Sequence, residues 1–356
     1  MTLLGGAELE RALQWIIRHS SSFAIYDQAE NKTLDIDVAS FLENSRYYSS
    51  HKIWSKNPAA FFEKSNEIPQ VESKLVHGLK DGSIIDLQFE SAYESQNENC
   101  PEFNRLYPEN SQVHARYWQH TENAKATIVA LHGWTMGDQR LNSLAFLPGY
   151  FYKMGFDVVL MELPFHGRRR PKSLTQQEAD SLFPGSDLAL TNEVIGQFIH
   201  DMRRLKLFLN QYGNQRTGCV GMSLGAYFAA LWSSLDRLDF CIPIVPVVSM
   251  SDLAWNALKA APNFYQLKVQ GMSKKVIEEG FSLHSPLTHS LQCESDRVLI
   301  LAGLADNVVP SSQPRSLWRH WGKPQMHRFR GGHMAQFKDK RAISRIVKFL
   351  NELPLE

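Results

Sequence analysis

The chain has 356 residues, with 38 basic and 37 acidic side chains and a formal net charge of +1, so no whole-molecule field draws it to nucleic acid or to an anionic membrane. Hydrophobic residues at 43% and charged residues at 21% fit a globular chain with a sizeable core and exclude a disordered one. Nowhere do eighteen apolar residues run together, so no membrane-spanning helix is expected.

From the N-terminus, "MTLLGGAELERALQWIIRHSSSF" has no basic leader before a continuous apolar stretch, and Glu8, Glu10 and Arg11 interrupt its hydrophobicity. It is not expected to be a secretory leader. Leu9, Leu13, Trp15, Ile16 and Ile17 fall at helical spacing, and an aromatic-rich segment with Phe41, Tyr47, Tyr48, Trp54, Phe61 and Phe62 follows. Residues 1 to 68 therefore read as a helical extension, serving either as extra core or as a lid or oligomer contact. The remainder, 69 to 356, reads as one further domain.

From Val71 the pattern changes to alternation around an Asp81-Gly82 turn, the signature of a β-hairpin, and "QVHARYWQH" supplies a further strand. Beyond Ala124, short apolar runs alternate with amphipathic ones. The strands are "ATIVALHG", "FDVVLMELP", "TGCVGMS", "FCIPIVPVVS", "RVLILAGLAD" and "MHRFRGG". Helices are expected near 140 to 154, near 190 to 212, from Ser223, near 312 to 321 and near 340 to 352, with a helical insertion at about 252 to 290. Such alternation means an α/β fold with a mostly parallel sheet, whose ligands sit beyond the carboxyl ends of the strands.

Three of those strand ends carry residues that belong together. Gly221-Met222-Ser223-Leu224-Gly225 fits G-x-S-x-G between a strand and a helix, where the sharp turn lifts the serine hydroxyl to the helix N-terminus. A serine needs a base, and His333 follows the last strand behind two glycines; the base needs an orienting acid, and Asp306 follows "RVLILAGLA". Asp252 is the competing acid. The strand ending in His132-Gly133-Trp134 turns where a backbone N–H can point into the crevice, so the Trp134 and Leu224 amides are the candidate oxyanion hole. His132 reads as a structural residue holding that loop.

The segments "LHGW", "GMSLG", "GLADNVVP" and "GGH", in this order, resemble the α/β-hydrolase superfamily of serine hydrolases in its esterase and lipase-like branch. The resemblance spans about residues 70 to 352. It implies a mostly parallel eight-stranded sheet whose second strand is antiparallel, with Ser223 as nucleophile, Asp306 as acid and His333 as base, and it calls for no metal and no organic cofactor. "ELPFHGRRRPKSL" departs from the usual turn after the fourth strand and resembles a branch with a Glu-x-Pro-aromatic-x-Gly-x-Arg signature. Arg168, Arg169 and Arg170 then fall near the mouth of the site, either as a solvated basic turn or as a clamp for a substrate carboxylate or phosphate. The insertion at 252 to 290 stands where a cap grows, and Trp255, Leu258, Phe264, Tyr265 and Leu267 could line an acyl pocket or simply pack it; Arg168, Trp255 and Phe264 are the candidate substrate contacts.

The expected chemistry is hydrolysis of a carboxylic ester or thioester, with a small acyl compound as substrate. The alternatives are a peptidase or amidase acting on short peptides, and a non-catalytic binding module on a hydrolase fold. Epoxide hydrolase and dehalogenase chemistry would need a carboxylate where Ser223 stands. Cys100, Cys219, Cys241 and Cys293 show no C-x-x-C spacing and read as reduced thiols, pointing to a cytoplasmic setting.

Overall fold

The computed structural model describes residues 33 to 355, apart from 99, 101 to 102, 123, 212 to 215 and 334 to 338. The helical spacing from Leu9 to Ile17 lies outside the described residues. Nine strands form one sheet in the order β1-β2-β3-β5-β4-β6-β7-β8-β9. They are β1 (Glu72–Leu79), β2 (Gly82–Glu90), β3 (Gln112–His120), β4 (Thr127–Leu131), β5 (Asp157–Met161), β6 (Thr217–Met222), β7 (Phe240–Ile244), β8 (Leu299–Gly303) and β9 (Gln325–Phe329).

Pairing from β5 through β9 is parallel, while β3 runs antiparallel to both of its neighbours, β2 and β5. The sheet thus has nine strands rather than eight: the Asp81-Gly82 turn folds back an additional outer strand, β1, whose residues up to Gly78 are solvent-exposed. Leaving out β1, the second strand is the antiparallel β3. The central strands are buried on both faces and divide their side chains by the two-residue period of a strand. Val129, Leu131, Val159, Met161, Cys219 and Cys241 enter one core, whereas Ile128, Ala130, Val158, Leu160, Val220 and Ile242 enter the other.

The second core is closed by α2 (Gln139–Phe146), α3 (Pro148–Lys153) and the terminal α11 (Lys340–Glu352). The single helix expected near 140 to 154 is two, because Pro148 disfavours the helical conformation for the residue before it and Leu147 turns left-handed at φ 48°. Between β5 and the next long helix lies α4 (Gln176–Leu182), closed at its start by a Thr175–Glu178 capping box. The first core is covered by α5 (Leu188–Asn210) and α6 (Leu224–Leu235). The insertion after β7 holds α7 (Met250–Ala260), α8 (Phe264–Val269) and α9 (Lys274–Gly280), and α10 (Ser312–His320) precedes β9.

Within the extension, α1 (Val38–Ser50) packs on α9 and α5. Val38, Phe41, Tyr48, Trp54, Phe61 and Phe62 are buried in the first core. The polar side of the same contact is the Glu193 carboxylate of α5, which is fully buried and accepts from the Tyr48 and Tyr93 hydroxyls, from Ser95 Oγ and from the Gln96 N–H. Burial raises its pKa, and these four donors are what make so enclosed a carboxyl tolerable. No helix among the described residues is long and apolar enough to cross a membrane.

Candidate active site

Ser223 occupies the turn between β6 and α6 with φ 55° and ψ −113°, a conformation that L residues rarely adopt. Its N–H donates to Ile244 O of β7, and its carbonyl accepts from Tyr227 N–H, so the strained residue is held from both sides. The flanking glycines are required by contact with backbone. A Cβ on Gly221 would stand 2.1 Å from Gly225 O, and one on Gly225 would stand 2.1 Å from Leu131 O and 2.4 Å from His132 O. The helix start is therefore pressed against the end of β4. Leu224, the first residue of α6, carries one of the amides that a helix cannot satisfy internally.

Asp306 and His333 follow β8 and β9, on the same carboxyl edge of the sheet as Ser223. Asp306 Oδ1 accepts the Val308 and Val309 amides at 2.9 and 2.8 Å, which fixes the carboxylate; Oδ2 lies 2.8 Å from His333 Nδ1. All three side chains are buried. The competing Asp252 is half-exposed on α7, ion-paired with Lys274 at 3.1 Å.

Across the crevice, the loop after β4 is built from "HGWTMG". His132 Nδ1 donates to Gly133 O at 2.8 Å, while its Nε2 accepts the Leu163 N–H at 3.0 Å. Burial pushes this imidazole down to about 3, so it is neutral and structural. The Trp134 indole donates to Asp180 O of α4, and the Thr135 N–H is committed to His166 Nε2 at 3.2 Å. That commitment removes Thr135 from the possible oxyanion donors.

The three arginines of the run are each engaged within the chain, Arg168 while still exposed to solvent and Arg169 while buried. Arg168 donates its N–H and Nε to Glu162 at 2.7 and 2.8 Å and lies 3.4 Å from Asp86, so two carboxylates of its own chain already neutralise it. Arg169 is fully buried, paired with Asp201 at 2.8 Å and bonded to Asn110 O. Arg170 donates to Leu174 O. Trp255 and Phe264 are half-buried and pack on one another, ring centroids 5.7 Å apart at 71°. Leu258 and Leu267 are buried, and Tyr265 is exposed. The sequence reading missed α4, the helix carrying the Trp134 indole's acceptor, and His166; the "FHG" within "ELPFHG" was the available signal for the latter.

A mostly parallel sheet with one antiparallel strand near its edge, a strained serine turn after β6 and an Asp–His pair after β8 and β9 describe an α/β-hydrolase. Within that class the chain belongs to the family described as alpha/beta hydrolase domain containing 18, whose model matches residues 47 to 270. The match includes Ser223 and stops before Asp306 and His333. The uncharacterized protein Rv2627c of Mycobacterium tuberculosis is 27% identical over 324 residues, covering 88% of this chain and 73% of that protein. Among solved structures, the acetyl xylan esterase from Paenibacillus sp. R4 superposes with a TM-score of 0.59 at 16% identity, covering 90% of this chain and 98% of that one. Acetyl xylan esterase 1 from Thermoanaerobacterium sp. JW/SL YS485 gives 0.58 at 16%, covering 90% and 100%. At such identities the likeness speaks for the fold.

Proposed function

We propose that the protein is a serine hydrolase that cleaves a carboxylic ester or thioester through an acyl-enzyme on Ser223. The observation that carries this reading is the 2.8 Å contact between Asp306 Oδ2 and His333 Nδ1. With Nδ1 protonated and held by Asp306, the imidazole has Nε2 as its basic nitrogen, in the orientation the carboxylate dictates. Ser223 Oγ attacks the substrate carbonyl as His333 takes its proton, and the Trp134 and Leu224 amides receive the oxyanion. His333 then protonates the departing alcohol or thiol. Water, deprotonated by the same imidazole, releases the carboxylic acid and restores Ser223. The sequence positions that support acid, base and nucleophile follow the chain order Ser, Asp, His of this class.

Four free thiols, three of them buried, fit a reducing compartment, and we place the protein in the cytoplasm on that ground. The test is labelling with a fluorophosphonate probe, with and without Ser223→Ala, followed by turnover of aryl acyl esters of increasing chain length. Labelling and turnover that vanish together in Ser223→Ala support the reading. A folded wild-type protein that takes no label overturns it, and faster turnover of aminoacyl anilides than of esters would make it an amidase.

A further inference from the structure

Two loops at the carboxyl edge of the sheet brace each other through a reciprocal pair of histidines. His132, in the loop after β4, accepts an N–H from Leu163 in the loop after β5; His166, in the loop after β5, accepts an N–H from Thr135 in the loop after β4. Each ring is fixed as the same tautomer, because each Nδ1 donates to a nearby carbonyl, His132 to Gly133 O and His166 to Pro164 O. The rings lie 5.4 Å apart and are buried. Each loop also holds one non-glycine residue in the left-handed region, Thr135 at φ 64° and Phe165 at φ 62°. A β-branched residue keeps such a conformation only where its surroundings over-determine it. Gly137 and Gly167 allow the close approach: a Cβ on Gly137 would lie 2.5 Å from Gly167 N.

The loop that carries His166 is itself anchored from behind. Its Glu162 holds Arg168, the Phe165 N–H donates to Asn110 Oδ1, and Arg169 is tied to Asp201 and Asn110 O. The "ELPFHGRR" stretch is thus a rigid abutment, and what it supports is the residue next to the candidate oxyanion donor. Fixing the Thr135 N–H sets the Trp134–Thr135 peptide plane on the carboxyl side of the Trp134 Cα, while the plane that carries the Trp134 N–H has its Gly133 carbonyl held by His132 Nδ1; the Trp134 indole, bonded to Asp180 O, fixes the side chain.

We propose that His166 is a positioning residue for the oxyanion hole, holding the Trp134 amide in place through the Thr135 N–H, with His132 as the reciprocal brace. The proposal rests on the Ser223 acyl-enzyme reading. His166 touches no reacting atom; its contribution is the orientation of a donor whose value depends on where the developing negative charge sits.

The test compares His166→Asn, which withdraws the acceptor from the ε position, with His166→Gln, which keeps an acceptor at that reach. His166→Asn is expected to lower kcat about 10- to 100-fold with KM within about twofold, as for a displaced transition-state donor. His166→Gln is expected to recover most of kcat. Should His166→Asn fail to fold, His166→Met, apolar and of similar volume, takes its place. The proposal is overturned by a folded His166→Asn or His166→Met with unchanged kcat, or by His166→Gln being equally impaired at an unchanged melting temperature. A wild-type protein that takes no fluorophosphonate label overturns the acyl-enzyme reading and this proposal with it. A wild type that labels normally beside an unchanged His166→Asn overturns this proposal alone.

Discussion

Asp306 holds His333 by one carboxylate oxygen while the turn amides of Val308 and Val309 hold the other. The division of labour makes the acid sensitive to a change that preserves shape. In Asp306→Asn the amide oxygen can keep both turn amides, and the amide nitrogen then faces His333 Nδ1 as a donor, forcing the imidazole into the tautomer that cannot accept the Ser223 proton. Ester turnover is expected to fall about 10,000-fold with the melting temperature little changed. Steady-state kinetics against Ser223→Ala as baseline check it, and an Asp306→Asn enzyme within tenfold of wild type would mean that another group orients His333.

The pressure of α6 on the end of β4 yields a second expectation. Gly225→Ala places a Cβ 2.1 Å from Leu131 O and 2.4 Å from His132 O, atoms of a central strand and its turn that cannot swing aside like a flexible side chain. Overpacking of this kind costs about 1–3 kcal/mol or more, and here relief means moving Leu224 away from the Trp134 loop. Urea unfolding should show the loss, and activity should fall further than the population of folded protein explains. An active, equally stable Gly225→Ala would contradict the close approach.

Much of this architecture is written in short-range pattern, and what is not depends on distant partners. Ser223 is legible because a strand, two glycines and a helix are adjacent in the chain, and α11 falls where a helix near 340 to 352 is expected, its start capped by the Asp339 side chain. The ninth strand is visible as the Asp81-Gly82 hairpin, although the resemblance to eight-stranded relatives leaves it out. Burial of Arg169 was not legible: three consecutive arginines read either as a solvated turn or as a clamp for a substrate anion, and the partner that lets Arg169 bury is Asp201, 32 residues away on another element. The bracing of His166 is of the same kind, since it needs the loops after two different strands to be brought side by side by a parallel pairing. The helix α4, "QQEADSL", carries too few apolar residues for periodicity to announce it.

The buried Arg169–Asp201 pair should be far more costly to break than to replace. Both side chains have no exposed surface, so Arg169→Met strands a carboxylate in the core and is expected to destabilise the fold by about 3–5 kcal/mol. The double variant Arg169→Met with Asp201→Leu should recover a large part of that, since the stranded charge is then gone. A denaturation cycle over the four proteins measures the coupling. Strict additivity of the two single effects would show that the pair does not act as a unit.

Acid should unfold this protein through its neutral histidines. Burial pushes His132 and His284 down to about 3 and His166 to about 4, and His132 and His166 each accept a backbone N–H at Nε2, which needs the neutral ring. Their neighbours do not offset this: His132 faces His166, which faces Arg169 and, at 3.8 Å, Asp180, while His284 bonds Tyr227 and Asn192 and feels His289. Above the unfolded value near 6.5, neither state of the chain binds these protons and the three cost nothing. Below it the unfolded chain takes them up and the folded one refuses, so stability declines from about pH 6.5 until the folded values are reached, by up to about 1.4 kcal/mol per pH unit for each histidine. Asp180 acts in the opposite sense: burial raises it to about 6, so between that value and its unfolded one the folded state holds the extra proton. At pH 5 these four groups together give a net uptake of about two protons on unfolding, three from the histidines less one from Asp180. Urea denaturation repeated from pH 8 to pH 5 gives the slope directly; a stability that stays flat across that interval would mean that the imidazoles are not held neutral, and the reciprocal brace of His132 and His166 would go with it.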